Sequence, residues 1–254
     1  MTLELVKSRL RLEKSRFTLV KAAPRLRLVK WGDSWEDQDR DEQGRWTTGG
    51  GGPSTSEVAT QIISDARAAE PATSASLRDI SANNGGTMVG LDHAVKGQDS
   101  LERKISEKQD EAAQVGVKLS PSEAGGKIFD DLRYTMTFPA DKYTEGVKGA
   151  VADLKAQGYT FDQDRVKNTW ESPVYRGLNT TARTPDGKAF ELQFHTPESF
   201  DLKENIQHPL YEEARLTTTS PERVDELNSQ MAAHAAAMGP SPPGVSELTP
   251  EVFG

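Results

Sequence analysis

One short segment of the chain alternates polar and apolar side chains. Glu191, Gln193 and His195 alternate with three apolar residues that run from Phe190 to Phe194. Because successive side chains of a strand point to opposite faces, this pattern predicts that the three polar side chains share one face. A carboxylate, an amide and an imidazole in one row suit a site for a metal and a phosphate. Alternation by itself favours the other interpretation, which is the solvated face of an ordinary antiparallel sheet.

A second group of candidate residues lies where a strand should lead into a helix. Lys96 stands just before the turn, and Ser100 and Lys104 are four residues apart on one face of the expected helix. Free backbone N–H groups at a helix N-terminus favour an anion, so the three side chains predict a phosphate-binding corner. Lysines near helix starts are also common on solvated surfaces, which is the alternative interpretation.

Two carboxylates precede the next expected strand. Asp130 and Asp131 stand just before Arg133, and carboxylates beside an arginine suit Mg²⁺ with a nearby phosphate. The sequence leaves open which aspartate would bind the metal, and a solvated corner is the equal alternative. His93 and His208 have no spacing partner for a metal pair, so we expect them to be structural or solvent-facing.

Hydrophobic periodicity and turn signals predict the elements that position these groups. Strands are expected at 88–96, 133–138, 174–184 and 188–196, the last two joined by a hairpin turn at Pro185-Asp-Gly. Helices are expected after Ser54, Thr55 or Ser56, at 76–82, from Asp99 or Ser100 to 115, and at 141–157, 197–215 and 221–237. This order predicts an α+β fold with a mixed β-sheet flanked by helices.

Composition divides the chain into three segments. Residues 1–53 are first basic and then acidic and end in a glycine-rich break, which predicts a flexible tail or a docking arm for an acidic partner. Residues 54–217 should form the folded domain. Residues 218–254 should form a helix followed by a disordered tail rich in proline and glycine.

The composition of the 254-residue chain also excludes several classes of protein. The chain has no cysteine, which excludes disulfides, thiolate zinc sites and a thiol nucleophile and fits a cytoplasmic protein. It shows no signal peptide and no apolar run that could cross a membrane, so we expect no membrane partner. A net charge of -8 argues against wholesale nucleic-acid binding, although a local basic groove remains possible.

Taken in order, the segments around the candidate residues resemble the synthetase domain of the RelA/SpoT family, which has a nucleotidyltransferase-like fold. The ATP-binding signature of that family reads Arg-x-Lys-x-x-x-Ser-x-x-x-Lys. Lys96, Ser100 and Lys104 fall on its last three positions, whereas Ala94 stands in place of the arginine. The aspartates before Arg133 resemble the magnesium-binding aspartate of the family, at a shorter spacing.

The predicted hairpin carries the most specific part of this resemblance. Tyr175-Arg-Gly-Leu-Asn-Thr-Thr is similar to the family's Gly-Tyr-x-Ser-Leu-His-Thr-Thr strand, whose tyrosine stacks on the acceptor base; Asn179 replaces the histidine. Glu191-Leu-Gln-Phe-His-Thr is similar to the family's Glu-x-Gln-Ile-Arg-Thr strand, and His195 replaces the arginine. The segment from His208 to Tyr211 resembles the His-x-x-Tyr that closes the family domain.

The resemblance implies that the domain transfers pyrophosphate from ATP to a nucleotide hydroxyl with the help of Mg²⁺. The implied ATP-binding residues are Lys96, Ser100 and Lys104, with Arg133 on the phosphates. The implied metal ligands are Asp131 (or Asp130) and Glu191, and the implied catalytic residues are Glu191, Asp131 and Arg133. The implied acceptor-binding residues are Tyr175, Arg165, Lys167, Asn179, Gln193 and His195.

Several acceptors and one other class of function stay open. A guanine nucleotide would make an alarmone synthetase, an adenine nucleotide an ATP-depleting toxin, and a tRNA 3′ end a translation-blocking toxin. Gln43-Gly-Arg-Trp-Thr-Thr-Gly-Gly resembles segments of phage head-assembly proteins and suggests a phage or prophage source. An antitoxin or phage-particle partner could then bind the N-terminal segment. The alternatives are a phage structural protein with a catalytically spent domain, or a nucleotide-sensing module.

Overall fold

The structure is a computed structural model that describes residues 52–216 and 218–254, so the expectation for residues 1–53 lies almost wholly outside the described residues. The strands are β1 (Thr87–Val89), β2 (Arg133–Thr137), β3 (Thr160–Phe161), β4 (Lys167–Asn168), β5 (Leu178–Arg183) and β6 (Ala189–His195). The helices are α1 (Thr55–Asn83), α2 (Gln98–Gln114), α3 (Pro121–Gly125), α4 (Tyr143–Ala156), α5 (Pro197–Asp201), α6 (His208–Ala214), α7 (Pro221–Ala237) and α8 (Pro250–Phe253).

The strands of this part of the chain form one mixed sheet in the order β1-β2-β6-β5-β3, with β4 also paired to β5. β2 and β6 run parallel, while the other pairs are antiparallel. Helices flank the sheet, so the α+β expectation is confirmed. None of the described helices is long and apolar enough to span a membrane.

The two faces of the sheet differ in the way that the alternation predicts. Phe190, Leu192 and Phe194 of β6 are fully buried and belong to the main hydrophobic core. Helix α4 covers this apolar face, and its Tyr143 hydroxyl donates a hydrogen bond to the Phe194 carbonyl at 2.9 Å. The opposite face therefore carries Glu191 and the other polar side chains of β6.

The first helix is longer than the sequence predicts. One 29-residue helix, α1, replaces the two expected helices and continues through Pro71. A capping box begins it, because the Ser54 side chain accepts from the Glu57 N–H and the Glu57 carboxylate accepts from the Ser54 N–H. Buried side chains lie on both sides of Pro71, including Ala66 and Leu77, so packing outweighs the helix-breaking tendency of proline.

The strand expected at 88–96 is wrong over most of its length. Strand β1 ends at Val89 because Gly90 adopts a left-handed conformation with φ of 66°. A 3₁₀ turn covers Leu91–His93, and Val95 then makes only an isolated bridge to Leu132. The helix that follows, α2, begins at Gln98 after Gly97 and not after a side-chain cap at Asp99 or Ser100.

The helical stretch expected at 197–215 is present but irregular. Between α5 and α6 the chain forms a π-helix at Leu202–Gln207. Pro209, which has no N–H to donate, follows directly in the first turn of α6. Such π-segments are often found at functional sites. This one contacts the polar face of β6, because Lys203 Nζ donates to Gln193 Oε1 at 2.9 Å.

The end of the chain is ordered, and the expectation of a disordered tail is wrong. Val245, Leu248 and Phe253 are buried in the main core. The Phe253 ring lies 5.4 Å from the Phe161 ring, and the Asn168 side-chain N–H donates to the Val245 carbonyl at 2.6 Å. The sequence did not predict this packing, because the segment is rich in proline and glycine and its apolar residues are too widely spaced to show the period of a helix or a strand.

We expect Phe253→Ala to lower the free energy of unfolding by about 3 kcal/mol, because truncating a buried phenylalanine removes apolar contacts and leaves a cavity. Urea unfolding monitored by circular dichroism would measure the change. Val115→Ala is the matched control, since Val115 is 77% exposed; its effect should stay within about 0.5 kcal/mol. Equal unfolding midpoints for Phe253→Ala and the control would contradict the packing of this segment.

Candidate active site

A cavity of about 750 Å³ opens on the polar face of the sheet, between β5, β6 and helix α2. Five cationic residues line it, namely Lys104, Lys108, Lys127, Arg165 and Lys167. Three carboxylates line it as well, namely Glu111, Asp130 and Glu191. Five cations against three carboxylates give the cavity an excess of two positive charges in a chain whose net charge is -8. A local excess of positive charge attracts anions.

Strand register explains why several of these side chains lie together. Glu191 pairs with Arg133 of β2 on one side and with Thr181 of β5 on the other. Asn179 pairs with Lys167 of β4 and with Gln193 of β6. Side chains of directly paired residues point to the same face, so all five share the polar face with Glu191.

Asp130 joins two of the lysines that the sequence singles out. Its Oδ2 accepts from Lys96 Nζ at 2.7 Å and from Lys104 Nζ at 2.5 Å. Burial opposes ionisation of Asp130, but the hydrogen bonds from the two lysines prevail and hold its pKa below the usual range. Burial lowers the pKa of Lys96. Asp130 Oδ1 is buried and has no hydrogen-bond partner among the described residues.

Asp131 has a different environment from Asp130. Its side chain is only 2% exposed and forms a salt bridge with Lys188. It does not line the cavity, whereas Asp130 and Glu191 both do. Of the two aspartates between which the sequence leaves the metal site open, Asp130 is therefore the one in the cavity wall.

The residues around Asp130 fit a magnesium ion that shares its ligands with a substrate. The described part of the chain contains no group of three or more His, Asp or Glu side chains that could hold a metal by themselves. Mg²⁺ commonly takes only one or two protein carboxylates and completes its shell with water and phosphate oxygens. Asp130 and Glu191 provide two carboxylates, and the unpaired Oδ1 of Asp130 is an acceptor without a donor.

Other predicted residues lie outside the cavity wall. Arg133 is exposed, and its Nε donates to the His93 carbonyl at 3.2 Å. Ser100 lies in the first turn of α2 and is not part of the wall. Gln193 is 9% exposed, and its Oε1 is occupied by Lys203. The predicted residues that do line the cavity are Lys104, Asp130, Arg165, Lys167, Asn179 and Glu191.

His195 is fully buried, which excludes the expected contact with an acceptor phosphate in this conformation. Its Nε2 lies 2.9 Å from the Tyr175 hydroxyl, and its Nδ1 lies 2.9 Å from the Ser199 hydroxyl. Tyr175 does not line the cavity either, because its ring lies edge-on to His195 and its hydroxyl donates to Asn179 Oδ1 at 2.8 Å. In this conformation the Tyr175 ring is therefore not part of the wall on which an acceptor base in the cavity could stack.

Sequence reasoning missed two lysines of the cavity wall. Lys108 lies four residues after Lys104 on α2. Extending the four-residue spacing of Ser100 and Lys104 by one helical turn would therefore have predicted it. Lys127 lies in the loop after α3, where no periodic signal marks it. Arg165 carries a second feature, since its guanidinium lies 4.2 Å from the centre of the Phe129 ring, a cation–π contact in the same wall.

The buried imidazole should make stability depend on pH. Burial lowers the pKa of His195 to about 3, below the value of about 6.5 expected in the unfolded chain. As the pH falls, the imidazole of the unfolded chain is therefore protonated before that of the folded protein. The stability that the neutral His195 contributes above pH 6.5 is lost as the pH falls towards 3. From pH 7 to pH 5 the free energy of unfolding should drop by about 2 kcal/mol.

Urea titrations of the wild type and of His195→Asn at both pH values would measure this loss. The variant should lose clearly less stability between pH 7 and pH 5 than the wild type. An equal loss in both proteins would show that His195 does not stay neutral in the fold.

No family model and no curated protein matches the chain. Among solved structures, the type VI effector Tas1, in complex with its immunity protein, is 21% identical over 70% of this chain and 95% of its own, with a TM-score of 0.46. The small alarmone synthetase 1 from Bacillus subtilis is 15% identical over 70% of this chain and 89% of its own, with a TM-score of 0.48. A GTP pyrophosphokinase family protein from Streptococcus pneumoniae is 16% identical over 72% of this chain and 87% of its own, with a TM-score of 0.44. All three TM-scores lie below 0.5 and all three identities below 25%, so these similarities carry no conclusion about the activity of this chain.

Proposed function

We propose that this domain transfers pyrophosphate from ATP to a hydroxyl group of a nucleotide acceptor, with Mg²⁺ as the metal. One observation carries the proposal: Asp130 binds the two motif lysines Lys96 and Lys104 and lines the same cation-rich cavity as Glu191. A carboxylate pair next to several cations is what a metal–triphosphate substrate requires. The ordered run of motifs that resembles the RelA/SpoT synthetase domain supports the same reaction.

The lysines would hold the phosphates of ATP. Lys104 lines the cavity together with Lys108, one helical turn further along α2. Both ammonium groups can donate to phosphate oxygens. Lys96 can also donate to a phosphate oxygen once Asp130 binds the metal and releases its lysine partners. Arg133, which lies outside the wall, would reach the phosphates only after its hydrogen bond to the His93 carbonyl breaks.

Asp130 and Glu191 would hold the magnesium ion, which, when bound, neutralises phosphate charge and fixes the geometry of the triphosphate. The acceptor oxygen attacks the β-phosphorus of ATP, the bond from that phosphorus to the α–β bridging oxygen breaks, and AMP leaves. Glu191 accepts the proton of the attacking hydroxyl. Its half-buried carboxylate lies in the cavity wall, within a row of polar side chains that can position both substrates.

The acceptor would bind beside strands β4 and β5. Arg165, Lys167 and Asn179 line this side of the cavity and offer donors to an anionic or oxygen-rich group. A volume of about 750 Å³ suits a nucleotide-sized ligand or the end of a longer one. A guanine nucleotide, an adenine nucleotide and a tRNA 3′ end all meet this description.

Incubation of the purified protein with magnesium and γ-labelled ATP tests the proposal and the acceptor together. GTP, GDP, ADP, AMP and deacylated tRNA would be offered in separate tubes, and the labelled products separated. Label should move onto one of these acceptors, with release of AMP in equal amount. If label stays on ATP in every tube while ATP binds, the domain is a spent or nucleotide-sensing one, as the alternative holds.

A further inference from the structure

A chain of uncharged hydrogen-bonding groups runs behind the cavity wall. It begins at Ser199 in α5, continues through the imidazole of His195 and the hydroxyl of Tyr175, and ends at the side-chain amide of Asn179. Its three links measure 2.9, 2.9 and 2.8 Å. Of the four residues, Asn179 alone lines the cavity.

Burial keeps the members of this chain uncharged. His195 is fully buried and Ser199 is 2% exposed. Burial and the nearby charge of Lys203 lower the pKa of His195, and burial raises the pKa of Tyr175. A neutral imidazole has one donor nitrogen and one acceptor nitrogen, so the hydrogen bonds must run in one direction along the whole chain.

The backbone around His195 is shaped to admit this arrangement. A Cβ atom at Gly177 would lie 2.5 Å from Cε1 of the imidazole, so only glycine lets the ring lie against the polypeptide backbone at this position. Ser199 is held as well, because its hydroxyl accepts from the Thr196 N–H at 3.0 Å in the turn that begins α5.

We propose that Tyr175, His195 and Ser199 are positioning residues that fix the Asn179 side chain with its oxygen on Tyr175 and its NH₂ group towards the cavity. In this arrangement the Ser199 hydroxyl, which also lies 3.2 Å from the Thr196 carbonyl, gives its proton to the nearer Nδ1 at 2.9 Å. Nε2–H then donates to the Tyr175 oxygen, and the Tyr175 hydroxyl donates to Asn179 Oδ1. In the described part of the chain Nδ2 of Asn179 has no protein partner, and it is not among the buried unpaired atoms. It is therefore available to a ligand.

The ligand group that fits this NH₂ is a phosphate oxygen. Lys167 is the strand partner of Asn179, and both residues line the cavity with Arg165. An amide NH₂ beside two cationic side chains adds a neutral donor to a site that favours an anion. The choice of phosphate as the ligand rests on the proposed function, in which the acceptor nucleotide carries the phosphate. The direction of the hydrogen bonds does not depend on the proposed function.

Nuclear magnetic resonance tests the direction without any turnover. In ¹⁵N-labelled protein, the ring nitrogens of His195 should show the neutral Nε2–H form at pH 6, with the signals assigned by their loss in His195→Asn. An Nδ1–H form would turn the Asn179 oxygen towards the cavity and would overturn the proposal. A protonated ring would also overturn it.

Inorganic pyrophosphate is the probe for the amide. Its addition should shift the Asn179 side-chain NH₂ signals in the wild type, and Tyr175→Phe should weaken binding by about 10-fold, because a free amide rotates away from its donor orientation. Tyr211→Phe, at a tyrosine that is 54% exposed and outside the cavity wall, is the matched control. Equal binding by wild type and Tyr175→Phe would overturn the positioning role.

Gly177→Ala gives a second route to the same answer, since it displaces the imidazole and leaves every donor and acceptor in place. It should weaken pyrophosphate binding as Tyr175→Phe does, in protein whose melting shows that it is folded. Once an acceptor is known, both variants should raise its KM and leave kcat nearly unchanged. Should no acceptor be found, the imidazole form and the pyrophosphate titration still decide the matter.

Discussion

Glu191→Gln should lower the rate of pyrophosphate transfer by about 100-fold or more, because glutamine can neither accept the hydroxyl proton nor bind a metal as a carboxylate does. The substitution keeps the size of the side chain, and Glu191 is only half-buried, so the fold should survive. Initial rates with saturating ATP and acceptor would give kcat, and circular dichroism would verify the fold.

Glu145→Gln is the matched control for this experiment. Glu145 is exposed on α4, which covers the opposite face of the sheet, so its loss should leave the rate unchanged. Near-wild-type turnover in Glu191→Gln would remove Glu191 from the chemistry. Reduced turnover with an unchanged pH dependence would leave it a metal ligand and exclude its role as the base.

Local patterns in the sequence were enough to predict the three longest strands, β2, β5 and β6, and three residues of the cavity wall, Lys104, Asp130 and Glu191. Alternation along β6 separated the apolar face, with Phe190 and Phe194, from the face that carries Glu191. Strand pairing then brings Asn179 to that same face, because the register of β5 on β6 follows from alternation and the hairpin turn. Lys167 joins them by pairing with Asn179 from β4, a strand that the sequence did not predict. Spacing on one helix likewise predicted Lys104.

The sequence could not show which polar side chains of that face are covered. His195 shares the parity of Glu191, yet α5 and the following π-helix bury it, and this packing depends on the tertiary course of the chain. The surroundings of Tyr175 also could not be read from the sequence. The expected strand at 174–184 includes this residue, although β5 begins only at Leu178. Alternation tells which face a side chain joins and not what lies above that face.

The sequence also could not tell which of the adjacent aspartates, Asp130 or Asp131, faces the cavity. Substituting each one separately distinguishes their roles. Asp130→Asn should lower the transfer rate by about 100-fold, since the neutral amide is a poor ligand for Mg²⁺ and a weaker partner for Lys96 and Lys104. Asp131→Asn should keep the rate within about threefold, because Asp131 is buried against Lys188 outside the cavity. Its cost should appear in stability, as about 1–3 kcal/mol in urea unfolding, since the charge partner of Lys188 is lost.

Magnesium titrations at saturating ATP make the comparison sharper. Asp130→Asn should need a higher magnesium concentration for half-maximal rate, while Asp131→Asn should follow the wild-type curve. The unpaired Oδ1 of Asp130 supplies the physical reason, because a cation is the partner that this buried oxygen lacks. The reverse pattern, with Asp131→Asn inactive and Asp130→Asn active, would return the metal to Asp131 and would require Lys188 to release its carboxylate when the nucleotide binds.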